Sequence, residues 1–323
     1  MGAAHTMKAA QITSRGRIEL MDVPDLGAPR DGEVIFKAQT GCLCGSDIPF
    51  FSEAQPSYPQ PLGLSLHEIV GRVTATASPL FRVGDRVLAM PPNLLGCAEQ
   101  LCLRDDRFVS IDDSLSNDEA VVSQPTATVL SALSTIPTVV GLTVAVVGQG
   151  PIGLLFDSCL SHLGAARIIG IDVRGERVAH SCDFGATDIF VMHNTGGRDA
   201  VARVAELTRD VMADLVVEAV GHEEQQFNLA AALTRDKGRL LFFGIPPERI
   251  DAIAFEAVVR KSLTIHTSVP SDLRPFVQIA QRAIKQGRLH PSRLITHRFP
   301  FAQIQQAFET YRDRQGLKVL VDF

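Results

Sequence analysis

A thiol, a hydroxyl, an imidazole and two carboxylates stand early in the chain, in Cys44-Gly45-Ser46-Asp47 and His67-Glu68. A cysteine thiolate and a histidine imidazole are both zinc ligands. Ligands gathered from separate loops suit a catalytic ion, which keeps one position open for water or substrate. Taken singly, Cys44 and His67 read as core packing; the hydroxyl and carboxylates around them favour a metal site. Further on, Gly148-Gln149-Gly150-Pro151-Ile152-Gly153 has the spacing of a dinucleotide-binding turn. A metal site followed by a nucleotide turn points to metal-assisted hydride transfer.

The residues of the turn have separate tasks. Gly148 permits the tight turn, Gly150 lets backbone approach a pyrophosphate, and Gly153 lets helix and strand pack closely. Pro151 suits the first helical turn, where its missing N–H costs little. Ile152 continues that helix, whose free N–H groups face the phosphates. The apolar run Thr143–Val147 precedes the turn, and a second run after it ends in Ile169-Gly170-Ile171-Asp172. An acid there, roughly 20 residues beyond the glycines, accepts hydrogen bonds from the adenine-ribose hydroxyls and repels a 2′-phosphate. Asp172 therefore favours NAD(H) over NADP(H). Arg174 reads as a solvated residue at a helix start, and Arg177 is placed with the cofactor residues.

These groups need a scaffold. At 323 residues the chain is long for one core, and two domains are expected. Its 46% hydrophobic and 21% charged residues are those of an ordinary soluble globular protein. A net charge of −5 gives no basis for affinity to nucleic acid or anionic membranes. No apolar run reaches the ~18–20 residues that cross a bilayer, and the N-terminus lacks a secretion signal. Met1 to Thr6 reads as an extension ahead of a start at Met7. Six cysteines without framework spacing suggest a reduced, cytoplasmic protein.

Short segments Glu33–Thr40, Ile69–Thr76, Arg86–Met90 and Glu99–Leu103, separated by Gly, Pro and Asp clusters, predict a β-rich, mostly antiparallel domain. A helix is expected from Ser116, divided by Pro125. Strands Thr143–Val147, Arg167–Ile171, Asp188–Val191, Asp214–Ala219, Gly238–Phe243 and Ser262–Ser268 then alternate with helices Ile152–Leu163, Glu176–Phe184, Asp199–Thr208, Glu223–Leu233 and Asp272–Gln286. That alternation predicts a parallel sheet covered on both faces. A last helix, Phe301–Tyr311, and strand, Lys318–Val321, are expected to return to the first domain. The expected division is 1–122 with 288–323 for the β-rich catalytic domain and 123–287 for the nucleotide domain.

With these motifs the chain resembles the zinc-dependent medium-chain alcohol dehydrogenase family, nearest its sorbitol and threonine dehydrogenase branch. The likeness runs from Met7 and includes Gly84-Asp85-Arg86-Val87 and Leu294-Ile295-Thr296-His297-Arg298-Phe299-Pro300. It implies an α/β fold: a Rossmann doubly wound parallel sheet plus a β-rich GroES-like catalytic domain. It implies that Cys44 and His67 bind a catalytic zinc acting as a Lewis acid, and that Glu68 lies beside the metal and can ligate it. Ser46 matches the hydroxyl that passes the substrate proton, and Asp47 the carboxylate that orients the zinc-bound histidine.

Several residues depart from the family pattern. Leu66 stands where glycine is usual. Gln124, in Gln124-Pro125, stands where the polyol branch has a ligating glutamate, so Gln124, Glu68 or water completes the shell. Pro49 replaces the usual relay histidine, and Phe50 and Phe51 make the adjacent wall apolar; with Tyr58 and Pro92 they are candidates to line an apolar cleft, with core or loop packing the equal alternative for each. Cys97 and Cys102 are too few for a structural zinc, which leaves one catalytic ion; Cys42 is expected beside the site without ligating. The missing structural-zinc lobe favours a homodimer, with Ser262–Ser268 as a candidate pairing edge.

The expected reaction is the NAD(H)-linked interconversion of a small secondary alcohol (polyol, cyclitol, amino alcohol or similar) and its ketone. The alternatives are a zinc-free NAD(P)H-dependent quinone or enoyl reductase of the same fold, a non-catalytic dinucleotide-binding protein, and non-redox zinc chemistry.

Overall fold

The computed structural model describes residues 6–193, 196–221 and 225–323. Contacts divide the chain into two units, Met1–Gln124 with Val277–Phe323, and Pro125–Phe276.

The first unit starts with an antiparallel hairpin of β1 (Thr6–Ser14) and β2 (Arg17–Pro24). Its main sheet takes in β3 (Glu33–Cys42), β4 (Ile69–Thr76), β5 (Arg86–Ala89), β6 (Gln100–Arg104) and β7 (Phe108–Ser110). Val34, Phe36 and Ala38 of β3 point into the core with Val73, Val87 and Phe108, the period-two burial of a half-covered strand. A Cβ at Gly71 would lie 2.1 Å from the Lys37 carbonyl oxygen, so glycine is what lets β3 and β4 pair there.

Two short helices accompany these strands, α1 (Ile48–Ser52) between β3 and β4 and α2 (Asn117–Val121) after β7. Ser116 caps α2 in a capping box. Its Oγ accepts from the Glu119 N–H at 3.2 Å, and the Glu119 carboxylate accepts from the Ser116 N–H at 2.9 Å. The helix breaks at Val122 and restarts as α3 (Ser123–Leu133). The division expected at Pro125 thus falls just upstream, which puts the proline in a first turn where no N–H is needed.

The second unit holds a six-stranded, wholly parallel sheet. Chain order alternates β8 (Thr143–Val147), α4 (Pro151–His162), β9 (Arg167–Asp172), α5 (Gly175–Val178), β10 (Asp188–Val191), α6 (Arg198–Thr208), β11 (Ala213–Glu218), α7 (Gln225–Leu233), β12 (Thr234–Phe242), α8 (Phe255–Arg260) and β13 (Thr264–Thr267). The spatial order is β10-β9-β8-β11-β12-β13. That is the doubly wound Rossmann order, in which ligands bind beyond the strand ends where the order reverses. The carboxyl end of β8 leads into Gly148 at this place. Val144 to Val146 of β8 and Leu215 to Val217 of β11 are fully buried, as strands covered on both faces must be.

The helix expected over Glu176–Phe184 is instead α5 and a separate 3₁₀ turn, Ser181–Phe184, ended by Gly185 at φ 103°. Glu223, the expected start of the next helix, lies outside the described residues, as do Met1 to His5. After β13, α9 (Arg274–Lys285) leads to β14 (Ile295–Pro300), α10 (Ile304–Arg312) and β15 (Lys318–Asp322). β15 pairs antiparallel with β3 and parallel with β14, so the tail completes the first unit's sheet. Neither the β1–β2 hairpin nor β14 was expected; both are amphipathic segments broken by charged residues. Among the described residues, no helix is long and apolar enough to cross a membrane.

Candidate functional site

Three strand ends meet at one rim of the first unit's sheet. One edge of β3 pairs with β4, while the other is shared by β6 at Glu33–Lys37 and β15 at Thr40–Cys42. Past the ladders, the Cys42 N–H donates to the Glu68 carbonyl at 2.9 Å and the Leu43 N–H to the Val319 carbonyl at 3.0 Å. The residues at the end of β3, before β4 and at the start of β15 are therefore neighbours. Cys44, His67 and Glu68 come together there, with one donor atom from each within 4.8 Å of the others.

The approach to His67 is locally strained. Ser65 and Leu66 adopt left-handed backbone, at φ 96° and 63°, a conformation that costs an L-residue roughly 1–2 kcal/mol. The glycine usual in the family would avoid that cost. Here the Leu66 side chain is fully buried in the first unit's core, and its burial offsets the strain. Asp47, also fully buried, fixes the conformation. Its Oδ2 accepts from the Cys44 N–H at 2.8 Å and its Oδ1 from the Leu66 N–H at 3.0 Å. Asp47 thus ties the cysteine loop to the residue before His67 through backbone. His67 Nδ1 is buried without a hydrogen-bond partner among the described residues.

Lys318, at the first position of β15, lies against this cluster. Its ammonium donates to Glu68 Oε1 at 2.9 Å, Glu68 Oε2 at 2.7 Å and the Leu43 carbonyl at 3.2 Å. Both side chains are 1% exposed. Burial pushes the Glu68 carboxyl up to about 7 against the pull of Lys318. Burial would also raise the Cys44 thiol, but the Lys318 charge and a hydrogen bond with His67 bring it down to about 6. Burial depresses His67, and the bond with Cys44 outweighs it, lifting the imidazole to about 9. The two shifts run in opposite directions and favour a thiolate beside an imidazolium, the charge state from which metal binding releases a proton. Lys318 was anticipated only as part of a strand; a lysine opening the apolar run Val319-Leu320-Val321 was the available signal.

The other anticipated residues fall as follows. Ser46 is exposed in a 3₁₀ turn, Gly45–Asp47. Pro49 is the second residue of α1 and Gln124 lies half-buried in the first turn of α3. Phe51 does not form a wall of the site. It is fully buried, with its ring 5.2 Å from Phe308 and the Arg312 guanidinium 5.7 Å above it. Phe50 packs half-buried on the same core, as does Tyr58, whose hydroxyl donates to the Glu53 carbonyl at 3.1 Å. Pro92 is exposed. Cys42 is buried with its thiol pushed up by burial and turned to the Leu43 carbonyl at 3.7 Å. Cys97 is buried, while the Cys102 thiol donates to Glu33 at 3.5 Å.

In the second unit the glycine turn is closely built. Gly148 has φ 94°, and a Cβ there would meet Val220 at 2.8 Å. A Cβ on Gly153 would lie 1.7 Å from the Gly148 carbonyl oxygen, so helix α4 packs directly on the turn. At Gly150 the nearest atom is the Arg177 guanidinium, 3.5 Å away. Pro151 and Ile152 form the first turn of α4. Asp172 is 8% exposed; its Oδ2 accepts from the Gln149 N–H at 2.7 Å and its Oδ1 from the Arg174 N–H at 3.0 Å. Arg177 lies 3.8 Å from the same carboxylate. Gln149, not anticipated, is fully buried and takes a 2.7 Å bond from the Ser181 hydroxyl.

The donor set fits zinc: a soft thiolate and an imidazole with a spare nitrogen, with a carboxylate donor within 4.8 Å of both. Known proteins agree with both halves of this arrangement. The alcohol dehydrogenase GroES-like domain matches residues 30–117, and the zinc-binding dehydrogenase family matches residues 151–283. A sorbitol dehydrogenase from Bacillus subtilis is 26% identical, covering 98% of this chain and 97% of its own. An L-threonine 3-dehydrogenase from Bacillus licheniformis is 27% identical, covering 94% of each. The solved alcohol dehydrogenase TADH from Thermus sp. ATN1 superposes with a TM-score of 0.87 over 98% of this chain and 99% of that one, at 23% identity. The chain belongs to the zinc-type medium-chain alcohol dehydrogenase family.

Proposed function

We propose that this chain is a zinc-dependent, NAD(H)-linked dehydrogenase that interconverts a small secondary alcohol (polyol, cyclitol, amino alcohol or similar) and its ketone. The observation that carries the reading is the meeting of Cys44, His67 and Glu68 donors within 4.8 Å. When bound, the two groups supply a Lewis acid for the substrate oxygen and a carrier for hydride. Cys44 and His67 hold the ion, one per chain, with Gln124 as a further candidate ligand and the Glu68 carboxylate beside them. Ser46 takes the substrate proton and, being exposed, passes it to solvent, because Pro49 offers no titratable group for a relay. Asp47 keeps both ligand loops in register. The deciding experiment measures metal in protein purified without added zinc and screens alcohols and ketones with NAD(H). Stoichiometric zinc with NAD(H)-dependent turnover supports the reading; metal-free protein that turns over rejects it.

The preference for NAD(H) rests on Asp172, whose carboxylate lies at the end of β9 beside the turn. In an Asp172→Ser variant, the NAD-to-NADP ratio of kcat/KM should fall at least about tenfold, as a 2′-phosphate loses its repulsion and gains Arg174 and Arg177. The ratio separates this effect from any loosening of the turn, which affects both cofactors. An unchanged ratio removes Asp172 from the discrimination.

We further place the protein in the cytoplasm as a homodimer paired through β13. Among the described residues this edge strand bonds only to β12, and apolar side chains stand exposed on or near it: Ile265 40%, Val259 61%, Phe255 63% and Val269 84%. A paired edge removes the hazard of an open one. Light scattering should give twice the chain mass, and Ile265→Lys with Val269→Asp should halve it.

A further inference from the structure

Among the described residues, Lys318 is the only lysine or arginine that is buried, at 1% exposure. An ammonium has three N–H donors. All three are used here, two on the two oxygens of Glu68 and one on the Leu43 carbonyl. Leu43 directly precedes Cys44, and its N–H is bound to Val319, next to Lys318. The cation is thus fixed to the backbone of the cysteine loop from both sides. For Glu68 to turn onto an ion at Cys44 and His67, it must leave Lys318. That would strand a buried ammonium, a break that is strongly destabilising. Glu68 and Lys318 also cancel in charge, so Cys44 is left as the single anionic ligand and the ion keeps a net positive charge toward substrate.

We propose that Lys318 is a positioning residue that holds Glu68 out of the metal's coordination sphere, reserving that place for a neutral ligand or substrate. The inference rests on the zinc reading given above, and one experiment separates the two. Zinc-depleted protein is loaded with cobalt(II), whose absorption reports ligand number and geometry, and metal affinity is measured by chelator competition. Wild-type protein should show a four-coordinate spectrum. Lys318→Met releases Glu68 onto the metal. Its spectrum should shift to higher coordination, and its affinity should rise at least about tenfold, within the range by which partners of metal ligands change binding. Lys318→Arg keeps the charge and should restore the wild-type spectrum, a rescue that packing alone would not give. If Lys318→Met does not fold, Glu68→Leu combined with Lys318→Met replaces the ion pair by apolar side chains and should retain the wild-type spectrum. A Lys318→Met spectrum identical to wild type, or loss of a ligand in the double variant, overturns the inference. Wild-type protein that takes up no cobalt overturns the zinc reading instead.

Discussion

Cys44→Ser is expected to lower turnover by at least about a thousandfold, equivalent to about 4 kcal/mol of transition-state stabilisation, while NADH binding stays within about twofold of wild type. The size follows from the chemistry of the donor. The Cys44 thiol, brought to about 6 by Lys318 and His67 against its burial, is a thiolate at neutral pH. A serine hydroxyl in its place stays protonated and is a poor zinc ligand. The substitution is nearly isosteric, and the backbone bonds of the loop do not depend on sulfur: the Cys44 N–H still reaches Asp47, and the Leu43 N–H still reaches Val319. The nucleotide turn belongs to the other unit, so cofactor binding is an independent readout. Steady-state rates, fluorescence titration with NADH and thermal melting check the three parts. Turnover within a factor of three of wild type sinks the catalytic role of Cys44. Joint loss of fold, NADH binding and turnover would make the metal structural.

The sequence made the nucleotide half of this molecule easier to read than the metal half, for a physical reason. Runs such as Thr143–Val147 and Arg167–Asp172 are apolar because both faces of a parallel sheet are covered, and helices between them show the longer period. The motif Gly148 to Gly153 is local, so six consecutive residues carry most of its meaning. The metal site is assembled from three distant segments. Cys44 and His67 were legible because few other roles suit them beside Ser46, Asp47 and Glu68. Lys318 was not, since nothing local shows that β15 starts beside the end of β3. Asp47 shows a further limit: its nature and place were legible, but its two bonds run to the backbone of Cys44 and Leu66. The place of Phe51 stayed open between cleft and core, because an aromatic residue in a loop looks the same in sequence whether it faces substrate or Phe308.

The glycines of the turn offer a sharper pair of substitutions. Gly153→Ala places a Cβ 1.7 Å from the Gly148 carbonyl oxygen, a backbone atom that cannot swing aside. Helix α4 must therefore lift off the turn. Its buried face, Leu154, Leu155, Phe156 and Cys159, is then pulled out of contact with the sheet. Overpacking of this kind costs about 1–3 kcal/mol or more, and the displaced helix N-terminus no longer faces the phosphates. Gly153→Ala should lower the melting temperature by several degrees and weaken NADH binding together with it. Gly150→Ala differs in kind. Gly150 has φ −75° and ψ −174°, which alanine adopts freely, and its nearest neighbour is the mobile end of Arg177 at 3.5 Å. Stability should stay within about 0.5 kcal/mol of wild type, as for surface substitutions. NADH binding should still weaken at least about tenfold, because the new methyl occupies the path by which a pyrophosphate approaches the backbone. Melting curves and NADH titrations on both variants separate packing from approach. If Gly150→Ala bound NADH as tightly as wild type, the pyrophosphate would not cross the turn at Gly150, and the cofactor assignment of the motif would fail.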